Sequence, residues 1–323
     1  MSTSGTTTFN LNCQQIITEA LELLGELGQG DSPSGEDYTS CLRTLNAMVK
    51  HWQTPPYGLH IWKEKEFTLY PVVGQMYYQF GNSSNDRVAD DGLVNSLTAA
   101  AALGAATITS SSVTGMLVND QIGIVLDTGT IQWTTISAIN TTTLVVTLNA
   151  TLTSAASLGN NVYSYTNVVG RALDVLQLRL SRNSGIMDTR MFPLSKSVYR
   201  NIPNKTVQST PVQYFTDKKA LQTNLHIYGT FSNTSDVIRG TYRKVIEDFA
   251  NTVDISDFPS EWSACLSHNL ALWVAPKYGK EVKVSQQGIG TISARAGELL
   301  EAMRDSDQES TTFTVVPDLG NWS

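Results

Sequence analysis

Apolar residues recur at three- and four-residue steps near both ends of this chain and alternate through its long middle. That change of period divides it. Asn12 and Gln15 have the spacing of a capping box, and Ile16, Ile17, Ala20, Leu21 and Leu24 then form one helix face that Gly25 and Gly28 end. Ser34 and Asp37 open a second helix with the stripe Tyr38, Cys41, Leu42, Leu45, Met48, Val49 and Trp52, stopped by Pro55-Pro56-Tyr57-Gly58. Two amphipathic helices this short cannot close a core alone, so they need a partner from elsewhere in the chain. The partner is expected after residue 256. There Asp257 is placed to cap, Pro259 suits a first helical turn, and Glu261 lies near the positive end of the dipole. Trp262, Leu266, Leu270 and Trp273 continue as an apolar stripe, which Ala275-Pro276 ends or kinks. Helical period is expected from about Glu247 into this stretch and again over 282–304, where Gly288, Gly290 and Gly297 weaken it.

Between these ends the period is that of strands. Phe67, Leu69, Tyr78 and Phe80 alternate around Pro71 and Gly74, the pattern of two strands and a turn. Small and β-branched runs follow at 105–113, 121–126, 131–139, 144–148 and 161–165, with turns at Asp127-Thr128-Gly129 and Leu158-Gly159-Asn160-Asn161. They predict a small antiparallel β sandwich or barrel over 95–166, inserted between strands of one host sheet. That sheet resumes at 172–180, 186–192, 211–215, 225–231 and 237–242, with a helical turn at 195–200.

The predicted fold class is α+β: a helical bundle formed by N- and C-terminal helices, and an antiparallel β domain carrying the inserted unit. The expected units are an N-terminal helical hairpin over 1–58, a β domain over 59–94 and 167–245, and the inserted unit over 95–166. C-terminal helices over 246–304 complete the bundle, and 305–323 is a tail. The bundle core is expected from Leu45, Met48, Trp52, Trp262, Leu266, Leu270 and Trp273. The tail carries Phe313, Val315, Val316, Leu319 and Trp322 on a polar tether, a pattern that suits docking.

Composition narrows the functional classes. With 323 residues, 41% hydrophobic and 16% charged, the chain is globular in character. A formal net charge of -7 gives no general attraction to nucleic acid or anionic lipid. Met1 to Thr8 lacks the basic start and apolar core of a signal peptide, and no apolar run is long enough to span a bilayer. Cys13, Cys41 and Cys265 each fall among apolar neighbours, as buried free thiols in a reducing compartment do.

Candidate chemistry is sparse. His51, His60, His226 and His268 lie on separate elements, without the spacing of a metal site or a nucleophile elbow. His268 reads as a helix-surface residue before it reads as a general base. Gly288-Ile289-Gly290 lacks the strand and the Lys-Ser/Thr of a phosphate loop. Asp90-Asp91, Asp127, Asp254 and Asp257 read as turn residues before calcium ligands. Arg239, Arg243 and Lys244, with the separate pair Lys218-Lys219, read as halves of surface ion pairs before a contact to phosphate. A glycan hydrolase would need two carboxylates across a cleft, for which Glu261 and Glu298 are the helical candidates. A carbohydrate- or receptor-binding β unit would use Trp133 as a stacking platform; core packing is the plainer role for that tryptophan.

Taken in order, several segments resemble head-to-tail adaptor proteins of short-tailed bacteriophages, the tail accessory or packaged-DNA stabilisation type. They are Ala20-Leu21-Glu22-Leu23-Leu24-Gly25, the Leu45-Asn46-Ala47-Met48 to Trp52 helix with its exit to Leu59 and Trp62, and Pro203-Asn204-Lys205 with Pro211-Val212-Gln213-Tyr214-Phe215. The series continues through Asp257-Phe258-Pro259-Ser260-Glu261-Trp262, Leu270-Ala271 and Ala275-Pro276-Lys277-Tyr278-Gly279. The likeness spans the chain except for 95–166 and about the last twenty residues, and this chain departs from the smallest members through its large β insertion. The resemblance implies a non-enzymatic structural protein without cofactor or metal, in the neck or tail of a virion and made in the host bacterial cytoplasm. It implies a twelve-subunit ring under the portal, helical bundles around a DNA channel, and the C-terminal tail docked on the portal. The implied partners are the portal ring, a tail nozzle or other tail component, further copies of the chain, and packaged double-stranded DNA passing without tight binding; no membrane is involved. An acidic subunit suits such a conduit, because each neutralised phosphate would add affinity that slows passage.

Overall fold

The computed structural model describes residues 5, 9–54, 61–81, 87–182, 187–280 and 291–307. They form two compact units, Met1–Trp62 with Ile246–Ser323, and Lys63–Val245. The α-helices among the described residues are α1 (Cys13–Leu24), α2 (Gly35–Trp52), α3 (Lys196–Arg200), α4 (Ser263–Val274) and α5 (Ile292–Ser306). All but α3 belong to the first unit.

In that helical unit the chain's own signals set the helix ends. The Asn12 side-chain oxygen accepts the Gln15 N–H at 2.9 Å and Gln15 accepts the Asn12 N–H at 3.0 Å, a reciprocal capping box. Gly25, at φ +72°, closes α1 in the left-handed conformation that glycine tolerates best. Ser34 caps α2. One apolar cluster joins Ile16, Leu21 and Leu24 of α1 to Leu45, Met48 and Trp52 of α2 and to Leu266 and Leu270 of α4 with Trp262 just before it, and Leu299, Leu300 and Met303 of α5 pack against it. Each fully buried aliphatic side chain contributes about 1.5–3 kcal/mol, against about 1 kcal/mol for a cap, so the cluster decides the packing.

Three expectations for this unit are corrected. Trp273 is 37% exposed and outside the cluster, lying 5.6 Å from the His51 ring; Val274, a full four residues beyond Leu270, is buried in its place. Asp257 does not cap a helix. Its carboxylate accepts the Glu247 N–H at 3.1 Å, and a 3-10 turn over Ser260–Trp262 precedes α4. The segment 246–259 is irregular rather than helical, because side chains occupy its backbone groups. Asn46 bonds both the carbonyl and the N–H of Phe249, and the Asp254 carboxylate accepts the N–H groups of Ala250 and Asn251. Residues 281–290, including the glycines at 288 and 290, lie outside the described residues.

The second unit is built from β1 (Glu64–Leu69), β2 (Tyr77–Phe80), β3 (Val88–Ala89), β4 (Leu93–Ser96), β5 (Thr107–Thr109), β6 (Gln121–Val125), β7 (Ile131–Asn140) and β8 (Val145–Leu148), then β9 (Asn161–Tyr165), β10 (Ala172–Arg182), β11 (Met187–Arg190), β12 (Phe192–Pro193), β13 (Gln213–Lys218), β14 (Thr223–Tyr228) and β15 (Val237–Lys244). They make three sheets with the orders β11-β10-β15-β1-β3, β12-β13-β14-β2 and β4-β9-β6-β7-β8-β5. The expected single host sheet is therefore two. β1 and β2, read as neighbours, part company across Pro71 and Gly74, which sits at φ +77°. Phe67, Leu178, Leu180 and Ile238 of the first sheet share a core with Tyr78, Phe80, Leu225 and Ile227 of the second.

The inserted strands fill their own core with Ile122, Ile124, Ile136, Val146 and Val162. They make an open six-stranded sheet and not a closed barrel: the edge strands β4 and β5 do not pair, and beyond them the isolated bridge Leu97–Ser110 and side-chain hydrogen bonds of Thr98 and Ser111 join the two sides. A bulge between Ile136 and Ala138 divides β7 between its two partners, β6 and β8. Tyr70, Tyr163 and Tyr165 pack together where this sheet meets the first, and the Tyr70 hydroxyl lies 3.0 Å from the carbonyls of Leu93 and Ser164.

Candidate functional site

Of the segments that carried the family resemblance, those at 20–25, 45–52, 257–262 and 270–279 lie in the helical unit, whereas Pro203-Asn204-Lys205 and Pro211 to Phe215 lie in the unit of strands. Trp52, Trp62, Phe258 and Trp262 form an aromatic knot with ring centroids 5.1–6.3 Å apart. The Trp62 indole N–H donates to the Asp257 carbonyl at 3.2 Å. Beyond α4, Lys277 and Tyr278 sit in a 3-10 turn that Gly279 ends, and both reach α2. The Lys277 ammonium donates to the Ser40 carbonyl at 3.1 Å, and the Tyr278 hydroxyl donates to Asp37 at 2.6 Å. The Ser34 hydroxyl and then Tyr278 hold the Asp37 carboxyl below the usual carboxylate range. Burial, followed by that carboxylate, pushes the Tyr278 phenol well above its ordinary value. These groups fasten elements together.

The carboxylates named from sequence are engaged in the same way. Asp91 accepts the N–H groups of Thr166 and Asn167, and Asp90 accepts the Tyr242 hydroxyl. Asp127 takes the N–H and hydroxyl of Ser157 and the amide of Asn160, which lowers its pKa and ties two turns of the inserted sheet. Glu298 is 67% exposed and pairs with Arg295 at 3.2 Å; Glu261 is exposed in its 3-10 turn. The His268 Nδ1–H donates to the Ala264 carbonyl at 2.9 Å, one helical turn back, and the ring is half-buried. His226 is half-buried between Phe215 and Tyr77, and burial lowers its pKa.

Trp133 is no open stacking platform. The Arg87 guanidinium lies 4.7 Å from its ring centroid, and the cross-strand neighbour Gly123 lies so close that a Cβ there would stand 2.9 Å from the ring. Arg87, at φ +51°, also donates to Tyr165 at 2.7 Å and Gln121 at 3.1 Å. With Val72, Val73, Ile131 and Thr234 these two residues line a cleft of about 400 Å³. Nothing in the spacing of the sequence marked Arg87, because the contact joins a host-strand approach to the inserted sheet.

The basic residues separate into two kinds. Arg243 is clamped by Glu64 at 2.9 Å and Lys218 by Asp174 at 2.8 Å. Arg239 has no ion pair within 4.0 Å among the described residues, although it lines a cleft with Glu66, Asp90 and Asp91. Strand register places it opposite Arg179, which is itself opposite Arg190, so three arginines cross β15, β10 and β11 in one row. Arg179 pairs with Glu66 at 2.9 Å and Asp188 at 3.1 Å. The three line a cleft of about 210 Å³ together with Gln177 and Thr241. His60 and the tail residues Phe313, Val315, Val316, Leu319 and Trp322 lie outside the described residues.

No known protein family matches the chain, and no characterised protein matches it in sequence. Among solved structures it is similar to VP17, a capsid protein of bacteriophage P23-77, at 15% identity and a TM-score of 0.12, over 59% of this chain and 76% of that one. It is also similar to the VP16–VP17 complex of the two major capsid proteins of the same phage, at 16% identity and a TM-score of 0.14, over 56% of this chain and 82% of that one. A likeness at such TM-scores establishes neither fold nor role.

Proposed function

We propose that this chain is a structural protein of a tailed-bacteriophage virion: a head-to-tail adaptor that joins the portal to the tail, extends the DNA channel, and helps retain and then deliver packaged DNA. The observation that supports this reading is the convergence of its scattered sequence motifs. Leu45 to Trp52, Trp62, Asp257 to Trp262 and Ala275 to Gly279 resemble adaptor segments one by one, and they pack against one another in one unit.

In this reading α1, α2, α4 and α5 make the helical bundle, and copies of the chain close a ring through heterologous side-to-side contacts. The portal ring and a tail nozzle or other tail component are its protein partners, and residues 305–323 are its portal anchor. The role requires no catalysis, in keeping with carboxylates that serve as backbone acceptors. Mass photometry of the purified chain, alone and mixed with the portal ring of its phage, tests it. The expected result is monomers alone and a ring-bound increment of about twelve 35.2 kDa chains with the portal. A chain that ignores the portal removes the reading.

A further inference from the structure

The row Arg190–Arg179–Arg239 is an unusual placement for three like charges. Residues directly opposite on antiparallel strands have Cβ atoms about 4.5–5.5 Å apart, and like charges so placed destabilise the pair. The nearest relief is incomplete. Glu66 and Asp188 both pair with Arg179, the middle cation, whereas Arg190 and Arg239 have no carboxylate within 4.0 Å among the described residues. The Arg239 Nε is buried and has no hydrogen-bond partner. Packing does not explain the row either, since Arg179, Arg239 and Thr241 stand on the sheet face opposite Gly240, where Phe67 and Leu178 close the core. The cleft between the arginines is open, about 210 Å³, and is lined as well by the amide of Gln177, the hydroxyl of Thr241 and the Asp188 carboxylate, which is held by Arg179.

We infer that this cleft is a binding site for a phosphate-type oxyanion, free or carried on a nucleic-acid backbone. A planar guanidinium offers paired donors matched to phosphate oxygens, and an anion seated among the heads relieves the repulsion along the row. Two arginines without a carboxylate within 4.0 Å, one of them sharing a neighbouring cleft with Glu66, Asp90 and Asp91, make a weak, local contact: for duplex DNA the logarithm of affinity falls against the logarithm of salt with a slope of about -1.8. Such a contact is compatible with a net acidic chain, and it is independent of the adaptor role.

Isothermal titration of the full chain with inorganic phosphate at constant ionic strength tests the site. The doubly substituted Arg190→Gln/Arg239→Gln chain should lose about tenfold or more in phosphate affinity, and the control Arg243→Gln, whose arginine is held by Glu64, should lose none. Displacement of phosphate by a short duplex would identify a nucleic-acid backbone as the source; phosphate binding without displacement would identify the free ion. Either supports an oxyanion site. Absence of phosphate binding, equal binding by the double variant, or equal binding of a poly-glutamate peptide overturns it. Should the double variant misfold, hydrogen exchange of the unaltered chain decides: protection by phosphate confined to β10, β11 and β15 supports the site, and protection elsewhere or nowhere overturns it.

Discussion

The helical unit draws its core from segments far apart in the chain, with Asn46 and Phe249 bonded across 203 residues, whereas the six-stranded sheet is one uninterrupted stretch from Leu93 to Tyr165. The helices are ordered by apolar packing with a few polar ties. The inserted sheet is ordered by register, turns and one crowded glycine. Contacts between distant segments form late because loop closure must precede them, so the sheet has what it needs to fold first and the helical unit waits for residues beyond 246. The difference teaches where each is fragile: the helical unit at its long-range contacts, the sheet at its local geometry.

The strongest way to break that contrast is Leu270→Ala. Leu270 is fully buried on the helix that touches α1, α2 and α5, and its loss should cost about 2–5 kcal/mol, read as a lower urea midpoint of the helical far-ultraviolet signal. The tyrosine and tryptophan signal of the inserted sheet should keep its own midpoint; a joint shift would show the two regions to be one cooperative unit. Gly123→Ala is the reciprocal experiment. Its Cβ would stand 2.9 Å from Ile131 and the Trp133 ring, and the overpacking should cost about 1–3 kcal/mol in the sheet alone.

Asn46→Ala sharpens the long-range side. It removes two hydrogen bonds to Phe249 and should cost about 1–2 kcal/mol, with faster hydrogen exchange at Phe249 as the local signature. The smallest effect expected is on acid stability. The Asp37 carboxyl has a folded pKa below its unfolded value, so its contribution is present above about pH 4 and lost as pH falls through the folded value. Tyr278→Phe removes one of its donors and should flatten that acid loss by at most about 1 kcal/mol, because the carboxyl faces solvent. An unchanged pH profile would leave the Ser34 hydroxyl as its sole support.

Helix content was legible wherever one apolar face repeated. The capping box at Asn12, the cap at Ser34 and the stripes of α1 and α2 are local features, and local features survive reading in one dimension. Trp273 misled because α4 is buried on several faces. Ser267 and Asn269 are buried on it too, bonded to Glu19 and to the Ala296 carbonyl, so a stripe drawn through the largest residues does not find its inward side. The irregular 246–259 segment follows from Asn46, two hundred residues earlier, which no periodicity reports. Alternation found the strands but could not say that β1 and β2 join different sheets, since partner choice is a property of the whole topology. The arginine row was hidden for the same reason: Arg179, Arg190 and Arg239 are scattered in sequence and become neighbours only through strand register.

The three cysteines carry a consequence of their own. Cys13, Cys41 and Cys265 are free and fully buried, all of them in the helical unit, and the unit spanning Lys63–Val245 has none. Burial raises each thiol's pKa, that of Cys265 to about 12, so the thiolate that an alkylating reagent needs forms only when the helices part. The chain thus carries a clock set into one of its two units. Its labelling rate counts openings of the helices and is silent on the strands.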